Sequence, residues 1–124
     1  EDFESNLQQI AFLCEEQKVP LILVIWPDQL QAAGKWSVRV NYHAAMFKVA
    51  SQRGLLVADV ATAFQRRPWS VRCYIPNDIV HVNAEGNRIA AEAARNALDQ
   101  VFPPDSTLQQ LVIPAGFASD PTDR

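Results

Sequence analysis

Apolar residues recur at helical spacing from the start of the chain. Phe3, Leu7, Ile10, Ala11, Leu13 and Cys14 share one side, and Asp2 and Glu4 fall in the opening turn. The pattern predicts an amphipathic helix over 2–18 that covers another surface. Pro20 stops it. The next stretch, VPLILVIWP at 19–27, is apolar without alternation, as a parallel strand buried on both faces reads. Pro27 and Asp28 end that strand, and 28–38, with Gly34, reads as a loop. Helical spacing returns from Val40 to Arg53, with Tyr42, Ala45, Met46, Val49 and Ala50 on one side. Gly54 is its natural terminator, because glycine adopts the left-handed conformation without penalty. GLLVADV then predicts a second buried strand over 55–60, with Asp59 near its carboxyl end, followed by a short helix over 61–66. Residues 67–80 carry Pro68, Pro76 and Asn77 and read as irregular, with a brief extended piece at 71–75. The last helix runs over 84–101 on a narrow stripe of Ile89, Ala90, Ala93, Ala94, Ala97, Leu98 and Val101, and Pro103-Pro104 ends it.

Strands joined through a helix imply a parallel sheet, so the expected class is α/β, a three-layer αβα sandwich. Two strands do not make a stable sheet by themselves. A strand buried on both faces also needs neighbours on both edges. The missing strands are therefore expected from another part of a longer protein or from a second chain. Residues 1–102 read as one portion of a single α/β domain and 103–124 as a tail. Within that tail LQQLVI at 108–113 could add a turn of helix or an edge strand.

Composition narrows the partners. The 124 residues are 48% hydrophobic and 20% charged, with 11 basic against 14 acidic side chains and a net charge of −3. No basic run exceeds Arg66-Arg67, which argues against nucleic acid or an anionic membrane surface. LILVIW at 21–26 is too short to span a bilayer. The chain opens on Glu1-Asp2 rather than Met, which reads as a processed product or an excised segment and leaves the compartment open. Cys14 and Cys73 read as free thiols. With no Cys-x-x-Cys spacing and only two histidines, no zinc site is expected, and no other cofactor is implied.

Chemistry concentrates in PNDIVHVNAEGN at 76–87. On irregular backbone, Asp78 and His81 can turn to the same side, so the carboxylate is expected within hydrogen-bonding reach of the imidazole. A carboxylate on one ring nitrogen fixes the tautomer and leaves the other nitrogen able to accept a proton. Asn83 is the expected N-cap of the last helix, and Gly86 lets that helix start close against the loop. The pair is also expected on the carboxyl side of a parallel sheet, where open α/β folds build their sites.

The stretch DIVHVNAEGNRIAAEA resembles the C-terminal signature of the SGNH (GDSL-type) serine esterases and lipases. The upstream order is similar too: a helix, a strand ending in VIWP, a helix opening NYHAAMFKVA, then LLVADV. The resemblance covers about residues 3–101, and its chemically specific element is 78–86. It implies an SGNH fold of which this chain supplies the C-terminal part, with Asp78 as orienting acid and His81 as general base. The nucleophile block of that family, a Gly-Asp-Ser motif followed by a Gly and an Asn, is not in this sequence. None of Ser5, Ser37, Ser51, Ser70, Ser106 and Ser119 stands in such a context. The serine is then expected from an N-terminal half of the same domain or from a second chain.

The implied substrate is an acyl or acetyl ester, on a carbohydrate or a lipid. The same residues would serve acyl transfer to a sugar hydroxyl. A non-catalytic α/β module for binding or assembly is the competing expectation. An unrelated flavodoxin-like domain would need a phosphate-cradling loop after a strand, and none is present. Trp26 and Pro27, at the carboxyl end of the first strand, could line a substrate pocket or pack in the core. Asp59 reads as a helix cap and His43 as a packing or surface residue. Trp36 and Trp69 read as loop aromatics.

Overall fold

The computed structural model describes residues 2–103. The protein is mixed α/β and mostly helical, built around a small parallel sheet of two strands. In chain order the elements are α1 (Asp2–Glu16), β1 (Ile22–Val24), α2 (Gln29–Ala32), α3 (Arg39–Arg53), β2 (Leu56–Ala58), α4 (Val60–Gln65), a 3-10 turn (Ser70–Cys73) and α5 (Ala84–Val101). β1 pairs with β2 in register Ile22 to Leu56, Leu23 to Val57 and Val24 to Ala58. The tail expected over 103–124, with LQQLVI, lies outside the described residues apart from Pro103. No helix among the described residues is long and apolar enough to cross a membrane.

Both strands are shorter than their apolar runs. The ladder effectively ends where Pro27, which has no N–H, follows Ile25 and Trp26. The expectation of burial on both faces is not met for β1: Val24 remains 43% exposed. Among the described residues β1 has a strand neighbour on one side only. Nearby in type, Ile10 and Leu13 of α1 are 50% and 60% exposed, beside the buried stripe of Leu7 and Ala11.

Two apolar clusters hold the elements. Leu7 and Ala11 of α1 meet Val49 and Ala50 of α3 over Leu23, with Leu21, Met46, Leu55 and Val57 at the margin. The second gathers Ala32, Val60, Phe64, Cys73, Tyr74, Val82, Ile89 and Ala90, with Trp26 packed against it. Phe64 and Tyr74 meet edge to face at 5.7 Å between ring centroids, a favoured aromatic geometry. Both cysteines are free, and burial pushes the Cys73 thiol pKa up.

Two stretches differ from their expected form. The loop over 28–38 contains α2, which begins with a capping box: Asp28 accepts from the Gln31 backbone N–H, and the Gln31 side chain accepts from the Asp28 N–H. Four helical residues are too few to show an apolar period, which is why the pattern alone reads as loop. The extended piece expected over 71–75 is instead the 3-10 turn, followed by an isolated antiparallel bridge between Tyr74 and Val82. Residues 74–82 thus leave and return as a narrow loop.

Gly54 ends α3 with φ of 64°, as expected. Asn83 caps α5 by accepting from the N–H groups of Glu85 and Gly86, each at 3.1 Å. At Gly86 a Cβ would stand 2.5 Å from Val82 Cβ and 2.6 Å from the Cys73 carbonyl oxygen. Gly86→Ala should therefore destabilise the fold. Overpacking costs roughly 1–3 kcal/mol, which outweighs the 0.5–1 kcal/mol or so that alanine gains over glycine in a helix. Urea unfolding reads the sign directly; a variant more stable than the parent would contradict the close approach.

Candidate functional site

The Tyr74–Val82 bridge closes the base of the narrow loop, and the Ile75 N–H donates to the His81 carbonyl at 3.0 Å. Asn83 adds a backbone bond to the Cys73 carbonyl and a side-chain bond to the Arg72 carbonyl, both 2.8 Å. At the tip Asn77 adopts φ of 67°, a conformation that asparagine tolerates better than most residues. The chain then turns sharply through Asp78.

The Asp78 carboxylate organises that turn. Its Oδ1 accepts from the N–H groups of Val80 and His81, each at 2.8 Å, and its Oδ2 lies 2.7 Å from His81 Nδ1. Those backbone donors, and then the His81 ring, bring the Asp78 pKa down to about 2. Asp78 is therefore anionic wherever a histidine titrates, and an anionic carboxylate only accepts. Nδ1 must carry the proton, which leaves Nε2 of the neutral ring with its lone pair free. The His81 side chain is 75% exposed, and Nε2 makes no hydrogen bond among the described residues.

The structure thus brings Asp78 and His81 together. Trp26 and Pro27 are placed differently. Pro27 is fully buried, and its carbonyl accepts from the Tyr74 hydroxyl at 3.3 Å. Trp26 packs against the second apolar cluster, and its carbonyl is bonded to His43 Nε2 at 3.2 Å. Asp59 caps α4 through the Thr62 N–H at 2.8 Å. Trp36 projects into solvent, 74% exposed, and Trp69 is exposed to a smaller degree.

A polar cluster that the reading of 28–38 as a loop missed lies at the carboxyl end of β1. Asp28, Gln31 and Ser37 are all buried. The Ser37 hydroxyl donates to Asp28 Oδ2, which also faces Arg39 Nε at 3.7 Å. Gln31 Nε2 lies 3.1 Å from His43 Nδ1. The sequence signal was Asp28-x-x-Gln31, a capping-box spacing just after a strand. Of the described serines, Ser37 and Ser70 are buried, and the Ser70 hydroxyl donates to the Ala32 carbonyl. Ser5 and Ser51 are exposed on α1 and α3. Among the described residues no serine hydroxyl is hydrogen-bonded to His81. Nor does any group of three or more His, Cys, Asp or Glu there form a set able to hold a metal ion.

Comparison with protein-family models, with curated proteins and with solved structures finds no significant match to this chain.

The two histidines contrast sharply. His43 spends both ring nitrogens on fixed partners: Nε2–H donates to the Trp26 carbonyl, so Nδ1 accepts from the Gln31 amide. Burial lowers its pKa from the usual 6.5, opposed in part by the bond to Trp26. The folded state therefore prefers neutral His43. Its contribution is fully present above pH 6.5 and is lost as pH falls from there through the depressed folded value. Urea unfolding between pH 8 and pH 5 should show that loss in the parent chain. In His43→Phe the loss should be smaller, and an unchanged pH dependence would contradict it.

Proposed function

We propose that this chain is the C-terminal part of an SGNH-type serine ester hydrolase. It supplies the acid and base that activate a serine carried by sequence outside it. The observation that carries this reading is the Asp78–His81 pair: a carboxylate held anionic, 2.7 Å from one ring nitrogen, with the other nitrogen open to solvent. The resemblance of 78–86 to the SGNH signature supplies the reaction class. The full domain is then a three-layer sandwich, with further strands added along the outer edge of β1. The single strand neighbour of β1 among the described residues supports an added strand there, and exposed Val24 marks a sheet face left uncovered.

In this mechanism His81 Nε2 takes the proton of the serine hydroxyl as the serine oxygen attacks the ester carbonyl. The imidazolium is stabilised by Asp78 and returns the proton to the departing alcohol. Water repeats the sequence and frees the acid. A sugar hydroxyl in place of that water would make the same residues an acyltransferase. The substrate is an acyl or acetyl ester on a carbohydrate or lipid.

Hydrolysis of p-nitrophenyl acetate tests the reading in a protein that joins this chain to its serine-bearing sequence. His81→Ala should lower kcat/KM by about 10³-fold or more, and Asp78→Asn by about 10²–10⁴-fold. Activity that survives His81→Ala sinks the proposal. Product analysis with a sugar acceptor separates transfer from hydrolysis. A second reading, a non-catalytic assembly module, is favoured by the bonded, buried state of Ser37 and Ser70. It predicts no serine-dependent turnover in any longer form.

A further inference from the structure

The loop that carries Asp78 and His81 is closed at its base, yet its tip is tied to the rest of the protein by very little. Asp78 bonds only within the turn: to Val80, to His81 and, through its own N–H, to the Ile75 carbonyl. These bonds make a self-contained unit. They fix the imidazole relative to the carboxylate and say nothing about where the unit stands relative to the sheet.

That position is set by one donor from another element. The backbone N–H of Gln29 donates to the Ile79 carbonyl at 2.8 Å. Among the described residues it is the only hydrogen bond that reaches residues 76–81 from outside the loop and its flanking strands. Gln29 is the first residue of α2, so its N–H has no partner within the helix and is free to point outward. The donor is itself held firmly. Asp28, just before it, is locked by the capping box, by Ser37 and by Arg39. The Ser70 hydroxyl bonds the Ala32 carbonyl at the far end of α2. Tyr74, at the loop base, bonds the Pro27 carbonyl two residues upstream of Gln29. Base and tip of the loop are thus pinned to the same short run of chain.

We propose that the Gln29 backbone amide is the positioning donor that sets His81 against the carboxyl end of β1, with Asp28 and its partners holding that amide in place. The proposal rests on the hydrolase reading for its consequence, since a base displaced by about 1 Å can cost on the order of 10²-fold in rate. The bond and its effect on the loop are independent of that reading.

Position 29 allows a selective test. Proline is favoured at the first position of a helix, where its missing N–H costs the helix nothing. The residue before a proline must be extended, and Asp28 already is, at φ −96° and ψ 172°. Gln29→Pro therefore deletes the donor and keeps α2. Gln29→Ala keeps the donor and removes only the side chain, whose Nε2 lies 3.4 Å from the Val71 carbonyl.

Backbone 15N order parameters for residues 77–81, measured on this chain, should stay near 0.85 in the parent and in Gln29→Ala. They should fall below about 0.6 in Gln29→Pro. In the serine-containing protein, Gln29→Pro should lower kcat by about 10–100-fold with KM within two-fold, and Gln29→Ala should change neither by more than two-fold. A loop as rigid in Gln29→Pro as in the parent overturns the proposal, as does an equal loss in Gln29→Ala. Should Gln29→Pro fail to fold, amide exchange in the parent decides: protection at Gln29 supports the bond, and exchange at the unfolded rate overturns it. If the loop loosens as expected but the parent serine-containing protein cleaves no ester, the hydrolase reading fails and the anchor stands.

Discussion

A buried backbone polar group without a partner costs free energy that a small fold cannot spare, and this constraint shapes the protein where β1 leaves the sheet. Ile25 still belongs to the ladder: its N–H donates to the Ala58 carbonyl, and its own carbonyl accepts from Ala61 in α4. The Trp26 carbonyl takes His43 of α3, and the Pro27 carbonyl takes the Tyr74 hydroxyl. The Asp28 N–H is met by Gln31, and the Gln29 N–H by Ile79. Five successive residues thus engage α4, α3, the narrow loop at its base, α2 and the loop tip. The folding of each neighbour is required for β1 to end without an orphaned group.

The same constraint explains why the two histidines behave differently. His43 is recruited to satisfy a carbonyl, and a glutamine amide occupies its other nitrogen, so proton uptake would set two donors against each other. His81 is recruited by a carboxylate on one side only. One imidazole is part of the scaffold; the other is held by the scaffold and left open.

Much of this was legible in the sequence because it depends on local chemistry. The αL turn at Gly54, the caps at Asp59 and Asn83, and the tight contact at Gly86 each follow from what one residue type can do. Asp78 and His81 were legible for the same reason, since the turn between them is closed by Asp78 itself. Helix α2 escaped because its signal is a single cap rather than a period. Ser37, Arg39 and His43 escaped because they are brought to Asp28 and Gln31 by the packing of α3, which spacing along the chain does not encode. Strand length was overstated for a related reason. An apolar run records burial, whereas a ladder also requires a partner with matching donors, and Pro27 offers none.

The bond between His43 and the Trp26 carbonyl also limits what can happen at the open side of β1. Alternate residues of a strand turn their backbone groups to opposite edges, and Ile25 faces β2, so a chain zipping onto the outer edge would meet Ile22 and Val24 and then a Trp26 oxygen already capped by an imidazole. However long a visiting segment is, its pairing stops short of Asp28 and Gln29. The backbone of those two residues stays with the partners it already has: Gln31 for the Asp28 N–H and the Ile79 carbonyl for the Gln29 N–H.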